Sequence, residues 1–175
     1  ADRGAGSAAV TVLQVAAGAR ILIAGQAPGA RVHASGVAFA DPSGKRLREW
    51  LGVTEAAFYD ANAIAILPMG FCYPGTASSG DLPPRAECAP AWRAALLERM
   101  PNIELTVVLG THALKWHLRI SAPLSKIVSD WEARWPAHIV LPHPSPRNNP
   151  WLKRNPWFEG DVLSKLRERV QALLG

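Results

Sequence analysis

Cysteine is scarce in this chain: Cys72 and Cys88 are the only two in 175 residues. That is too few for a disulfide framework and fits a reducing compartment, so a cytoplasmic location is expected. Long hydrophobic runs are missing as well. None approaches the roughly 20 residues of a membrane-spanning helix. The Ala/Gly-rich start lacks the ordered charged and apolar regions of a secretory signal, so no membrane association is expected. No Gly-Lys-Ser/Thr follows the glycine-containing turn after the first strand, which excludes a P-loop there. No internal repeat and no second domain is evident. Acidic side chains are outnumbered, 14 against 19 Lys and Arg, for a formal charge of +5 and a pI near 9.7. Such an excess suits a polyanionic partner, although a basic protein with no such partner has the same composition.

The chain is 49% hydrophobic, enough for one compact domain over residues 1–175 with its own core. Four apolar runs read as strands: 20–24, 63–67, 105–109 and 138–142. The first is almost continuously apolar, as a parallel strand buried on both faces should be. Helices are predicted over 45–51, 91–100, 113–118, 124–131 and 155–174. The last carries Leu163, Leu166, Val170 and Leu173 on one stripe, and the helix 91–100 is expected to turn Trp92, Ala95 and Leu96 inward. Strands alternating with helices predict an α/β fold, a three-layer α/β/α sandwich with a four-stranded parallel sheet. Residues 1–8 are expected to be disordered and 10–15 to form a short edge strand or a strap. Residues 30–44 read as a long loop, and 75–90 as a surface excursion.

Two strand ends carry the interesting residues. Gly25-Gln26-Ala27-Pro28-Gly29 leaves the first strand, where glycines let backbone N–H groups approach a ligand; a plain tight turn has the same sequence. His143-Pro144-Ser145-Pro146-Arg147-Asn148 leaves the last strand. Its prolines fix their own φ and hold the preceding residues extended, giving a stiff exposed turn behind an imidazole. Ligands of open α/β sheets bind at the carboxyl ends of strands. The loop 30–44 adds a lone ring, Phe39, and a lone acid, Asp41. Either Phe39 plugs the core and Asp41 caps the following helix, with Pro42 in its first turn, or both face a ligand.

Taken together, these turns resemble the uracil-DNA glycosylase superfamily. Gly25-Gln26-Ala27-Pro28 matches its first motif, of the type Gly-Gln/Glu-x-Pro. His143-Pro144-Ser145-Pro146 matches the second, and Phe39 matches the aromatic that stacks on a flipped base. The resemblance implies a monofunctional hydrolase in base excision repair, a monomer that flips uracil out of DNA and leaves an abasic site. It assigns catalysis to His143, Asp41 and Gln26, and base contacts to Gln26, Ala27, Phe39, Pro68, Met69 and His112. Pro42, Ser43, Ser145, Pro146, Arg147 and Asn148 would contact DNA. The chemistry asks for such types. A base is out of reach in the duplex, a ring supplies a flat face for it, and a guanidinium can fill the vacated gap and bind phosphate. A donor at uracil O2 stabilises the leaving anion.

The chain also departs from the superfamily. Ala27 stands where the best-known branch has the Asp that positions water, and Gly29 where that branch has a Tyr that blocks the methyl of thymine. The first motif is closer to the iron–sulfur branch (family 4), and Phe39-Ala40-Asp41 is similar to family 5, whose Asp lies one residue further on. Pro68 falls where the superfamily has the Asn that reads uracil, leaving that reading to backbone groups of Pro68–Phe71 or to His112. Cys72 and Cys88 match the spacing of the last two cluster ligands of family 4, but the two upstream cysteines are missing. No cofactor is therefore expected, and a [4Fe-4S] cluster only if upstream cysteines lie outside this sequence. The alternatives are a non-catalytic or product-holding DNA-binding module, or a glycosylase for another base such as thymine or hypoxanthine.

Overall fold

Four parallel strands form the centre of the molecule, which is seen in a computed structural model that describes residues 11–78 and 80–175. They are β1 (Ile21–Ala24), β2 (Ile64–Ile66), β5 (Leu105–Leu109) and β6 (His138–Leu141), in the spatial order β2-β1-β5-β6. The register pairs Ile23 with Ile66 on one side and with Val107 on the other. All but His138 of these strand residues are buried, which accounts for the near-continuous apolar runs. Between β2 and β5 lies a small antiparallel hairpin, β3 (Thr76–Ala77) and β4 (Gly80–Asp81). It sits within the excursion expected over 75–90.

Side chains alternate across the sheet as strand geometry requires. Ile21, Ile23, Ile64 and Ile66 join one large cluster with Leu47, Trp50 and Leu51 of helix α2 (Pro42–Leu51) and with Leu166, Val170 and Leu173 of the last helix. Leu22, Ala65 and Leu67 face the other way, onto Met100, Leu96 and Leu97. This is the three-layer α/β/α sandwich read from the sequence. The remaining helices are α1 (Ala30–Ser35), α3 (Glu55–Phe58), α4 (Ala94–Glu98), α5 (Gly110–Leu118), α6 (Leu124–Ser129), α7 (Asn149–Arg154) and α8 (Ser164–Leu174). Wider π-type turns precede α4 and α8, at Ala89–Arg93 and Phe158–Leu163. Among the described residues no helix is long and apolar enough to cross a membrane.

Several expectations need correcting. Residues 30–35 are helical, so the loop after the first motif is shorter than the composition suggests; Gly36, at φ 69°, ends that helix. Trp92 does not turn inward but is 61% exposed, and Ala95 is exposed too. The buried residue is their neighbour Arg93. The π-type turn advances fewer degrees per residue than an α-helix, so the 3.6-residue pattern misassigns the inward face. The strap is real: Val12 N–H donates to Phe71 O at 2.8 Å, and Gln14 bridges Ile66 in antiparallel sense along the β2 edge. Residues 1–8, expected to be disordered, lie outside the described residues.

Candidate active site

The sheet order places the chain's reversal point at β1. From there the chain runs outward to β2 and then returns to the other side of β1 at β5. Ligand crevices form outside the carboxyl ends of strands at such a point. A cavity of about 470 Å³ lies there, lined by Gln26, Ala27 and Gly29 of the first turn, Phe39, Asp41, Pro68, and His143 with Ser145 and Arg147 of the second. That volume falls within the range of small-molecule sites. The sequence therefore foresaw the meeting of both turns and Phe39 in one cleft.

The first turn is held to the end of β2 by the backbone. Met69 N–H donates to Gly25 O and Gly70 N–H to Gln26 O, both at 2.9 Å. The Gln26 side chain reaches across to the start of α5, its Oε1 lying 3.8 Å from where a Cβ on Gly110 would be. Against this turn lies the ring of Phe39, whose Cζ is 3.6 Å from the position of a Cβ on Gly25. Phe39 has φ 57°, a left-handed conformation that costs a bulky residue on the order of 1–3 kcal/mol. Its surroundings hold it there. Tyr59 Oη donates to Ala38 O at 2.8 Å, and the ring meets Phe58 edge-on with centroids 6.1 Å apart. The Phe39 carbonyl also presses against helix α2, where a Cβ on Gly44 would come within 1.7 Å of it. Only glycine fits at 44.

Asp41 caps α2: its Oδ1 accepts the Gly44 N–H at 2.8 Å, with Pro42 in the first turn. It also lines the cleft, so the two readings of this residue are compatible. His143 is half-buried at the end of β6. Burial pushes its imidazole below the ordinary value of 6.5, and the Asp41 carboxylate pulls it partly back, so at neutral pH the ring is uncharged. The second turn is tied down locally. Asn148 Nδ2 donates to His143 O at 2.7 Å, Arg46 Nη1 to Ser145 O at 3.2 Å, and Arg147 N–H to Ser145 Oγ at 3.2 Å. The Arg147 guanidinium lies along the β3–β4 hairpin, 2.6 Å from where a Cβ on Gly80 would stand.

Ser43 and Asn148 line the cleft too, while Pro42 and Pro146 are exposed beside it. Met69 and His112 are placed elsewhere. The Met69 side chain is in the core, 6% exposed, and His112 is on α5, outside the residues that line the cleft. The backbone around Pro68 is already engaged. Arg93, fully buried, donates from Nη1 to Leu67 O at 2.7 Å and to Pro68 O at 2.9 Å. Its Nη2 lies 2.6 Å from His117 Nε2. Burial drives His117 down to about 3, with Arg93 and His138 adding to the effect, so it meets the guanidinium as a neutral acceptor. Burial likewise lowers Arg93 to about 10. Sequence reasoning missed Arg93 and also Asp81, which lines the cleft from the hairpin. No motif marks either one.

The model of the uracil DNA glycosylase superfamily matches residues 14–167. The chain belongs to the uracil-DNA glycosylase superfamily. The match takes in both turns, all four strands and the cleft between them. Membership makes the chain a DNA glycosylase by class, a hydrolase of DNA repair whose substrate is DNA. The iron–sulfur branch of this superfamily holds a four-cysteine cluster, and the residues present do not fit one. The chain contains two cysteines, both half-buried free thiols. Among the described residues no group of three or more His, Cys, Asp or Glu could hold a metal.

Proposed function

We propose that this superfamily member is a monofunctional uracil-DNA glycosylase that flips uracil out of DNA and hydrolyses its N-glycosidic bond, leaving an abasic site. The observation that carries the reading is the common cleft of Gln26, Phe39 and His143 at the carboxyl ends of β1 and β6. The flipped base stacks on Phe39. The carboxamide of Gln26, which makes no hydrogen bond among the described residues, offers an acceptor and a donor to the uracil edge, complementary to N3–H and its neighbouring carbonyl. This role suits it because the backbone groups after β2 are engaged with Arg93 and with the first turn.

Bond breaking puts positive charge on the sugar and negative charge on uracil O2. Neutral His143 donates an N–H to that oxygen, and the fixed donor lowers the barrier because the site is already arranged around it. Asp41, held by its capping bond, places a carboxylate on the sugar side, where it favours the oxocarbenium-like centre. Ser43, Ser145 and the prolines of the second turn grip the backbone, and Arg147 enters the gap left by the base. The enzyme acts without a cofactor, as a monomer.

Alkaline treatment of an oligonucleotide incubated with the protein tests this. Strand scission at uracil, and none at thymine mismatched with guanine or at hypoxanthine, is the expected result. Intact strands at every base would leave a DNA-binding module that excises nothing. DNA binding is expected to weaken steeply with salt, since each neutralised phosphate contributes a slope of about −0.9 in log K against log salt. Arg147→Ala reduces that slope by roughly one unit. Titrations at several salt concentrations measure it, and an unchanged slope would remove Arg147 from the interface.

A further inference from the structure

The cleft contains a second carboxylate besides Asp41. Asp81 ends the β3–β4 hairpin and lines the same cavity as Phe39, Asp41 and His143. Its Oδ2 lies 3.5 Å from the position of a Cβ on Gly29, so the glycine places no side chain of its own against the carboxylate. The preceding residue, Gly80, packs against the Arg147 guanidinium. Asp81 is therefore held between the first turn and the turn assigned to the DNA backbone, at the exposed mouth of the cleft. A flipped nucleotide enters base first, which leaves its sugar at that mouth.

The other acid of the cleft, Asp41, already has a structural role, its Oδ1 accepting the Gly44 N–H at the start of α2. Ala27 has no ionisable group, and the ion pairs formed among the described residues do not involve Asp81. We propose that Asp81 is the general base that activates the hydrolytic water, an inference that rests on the glycosylase reading above. The Asp81 carboxylate takes a proton from water as the water oxygen bonds to C1′ of the sugar. The C1′–N bond breaks and its electron pair leaves with the base, whose anion His143 stabilises. The proton on Asp81 then passes to the departing base. The products are the free base and an abasic sugar with a hydroxyl at C1′, and no further reactant is needed.

The test is single-turnover base release by wild type, Asp81→Asn and Asp81→Ala, using duplexes with uracil, hypoxanthine or a thymine mismatch. Binding to abasic DNA is measured in parallel as a control for folding. Asp81→Asn is expected to slow release by about 10²–10⁴-fold, the span of a lost general base, with abasic-DNA binding retained. Formate, a small external base, is expected to restore part of the rate of Asp81→Ala. A rate for Asp81→Asn indistinguishable from wild type overturns the proposal and leaves the uracil assignment standing, as does a loss of rate matched by an equal loss of binding. Release by wild type of hypoxanthine or thymine but not uracil, abolished in Asp81→Asn, supports Asp81 and overturns the uracil assignment. A wild type that releases none of the three overturns both.

Discussion

Replacing His143 with alanine is expected to slow single-turnover uracil release by about 10²–10³-fold, the effect of removing one donor from a developing oxyanion. The fold should survive, because His143 is half-buried and follows β6 rather than filling the core. The same residue contributes to the acid limb of the pH–rate profile. Its imidazole is held below 6.5 by burial, with Asp41 opposing, and the neutral ring is the active form. Activity is therefore flat through neutrality, and the His143 contribution is lost as the pH drops through that lowered value. Asp41→Asn keeps a capping oxygen for α2 but removes the charge that pulls His143 up, so the acid limb moves to lower pH. A limb that stays in place in Asp41→Asn would show that the two side chains do not communicate. Wild-type rates in His143→Ala would remove His143 from the chemistry.

Replacing Arg93 with leucine is expected to be the most destabilising single change outside the apolar core. The guanidinium satisfies the buried carbonyls of Leu67 and Pro68 and the ring nitrogen of half-buried His117. A buried acceptor left without a partner costs about 1–3 kcal/mol, so losing these bonds together costs roughly 3 kcal/mol or more. The damage also reaches the site. Met69 and Gly70, directly after these carbonyls, hold the first turn through Gly25 and Gln26, so what folded protein remains should also release base slowly. Denaturant midpoints read the first effect and rates per folded molecule the second. His117→Gln offers a milder variant that keeps an acceptor. In wild type the folded His117 titrates near 3 and the unfolded one near 6.5. The unfolded chain thus binds the proton first, and stability present above pH 6.5 is lost as the pH falls toward 3. That slope should flatten in His117→Gln. An unchanged slope would assign the acid sensitivity to other groups.

The strands were legible because burial on both faces leaves an unbroken apolar run. Leu105–Leu109 was found to the residue. The stripe Leu163, Leu166, Val170 and Leu173 was likewise correct, all four being buried. Helix α1 escaped notice because six residues between Gly29 and Gly36 are too few to show a period. The inward face of the segment around Trp92 was misjudged because the chain there winds wider than an α-helix, and because the most buried residue is an arginine. Burial of an arginine depends on carbonyls that only the folded chain brings to it, so no local pattern announces it. The core of the candidate site was legible for a different reason. Gln26, Phe39 and His143 lie in or near turns whose sequences constrain the backbone, and turns at strand ends converge wherever a parallel sheet forms. Asp81 was not legible, because it reaches the cleft through a hairpin whose position depends on tertiary packing.

Release of the free base is the measurement closest to the central claim. DNA labelled in the uracil ring is incubated with the protein, and the small-molecule products are separated. The account predicts labelled free uracil, with the strand intact until alkali is added. It also predicts that His143→Ala suppresses that release without abolishing DNA binding. Label recovered only in DNA or in a nucleotide, or free uracil formed equally fast by His143→Ala, would contradict it.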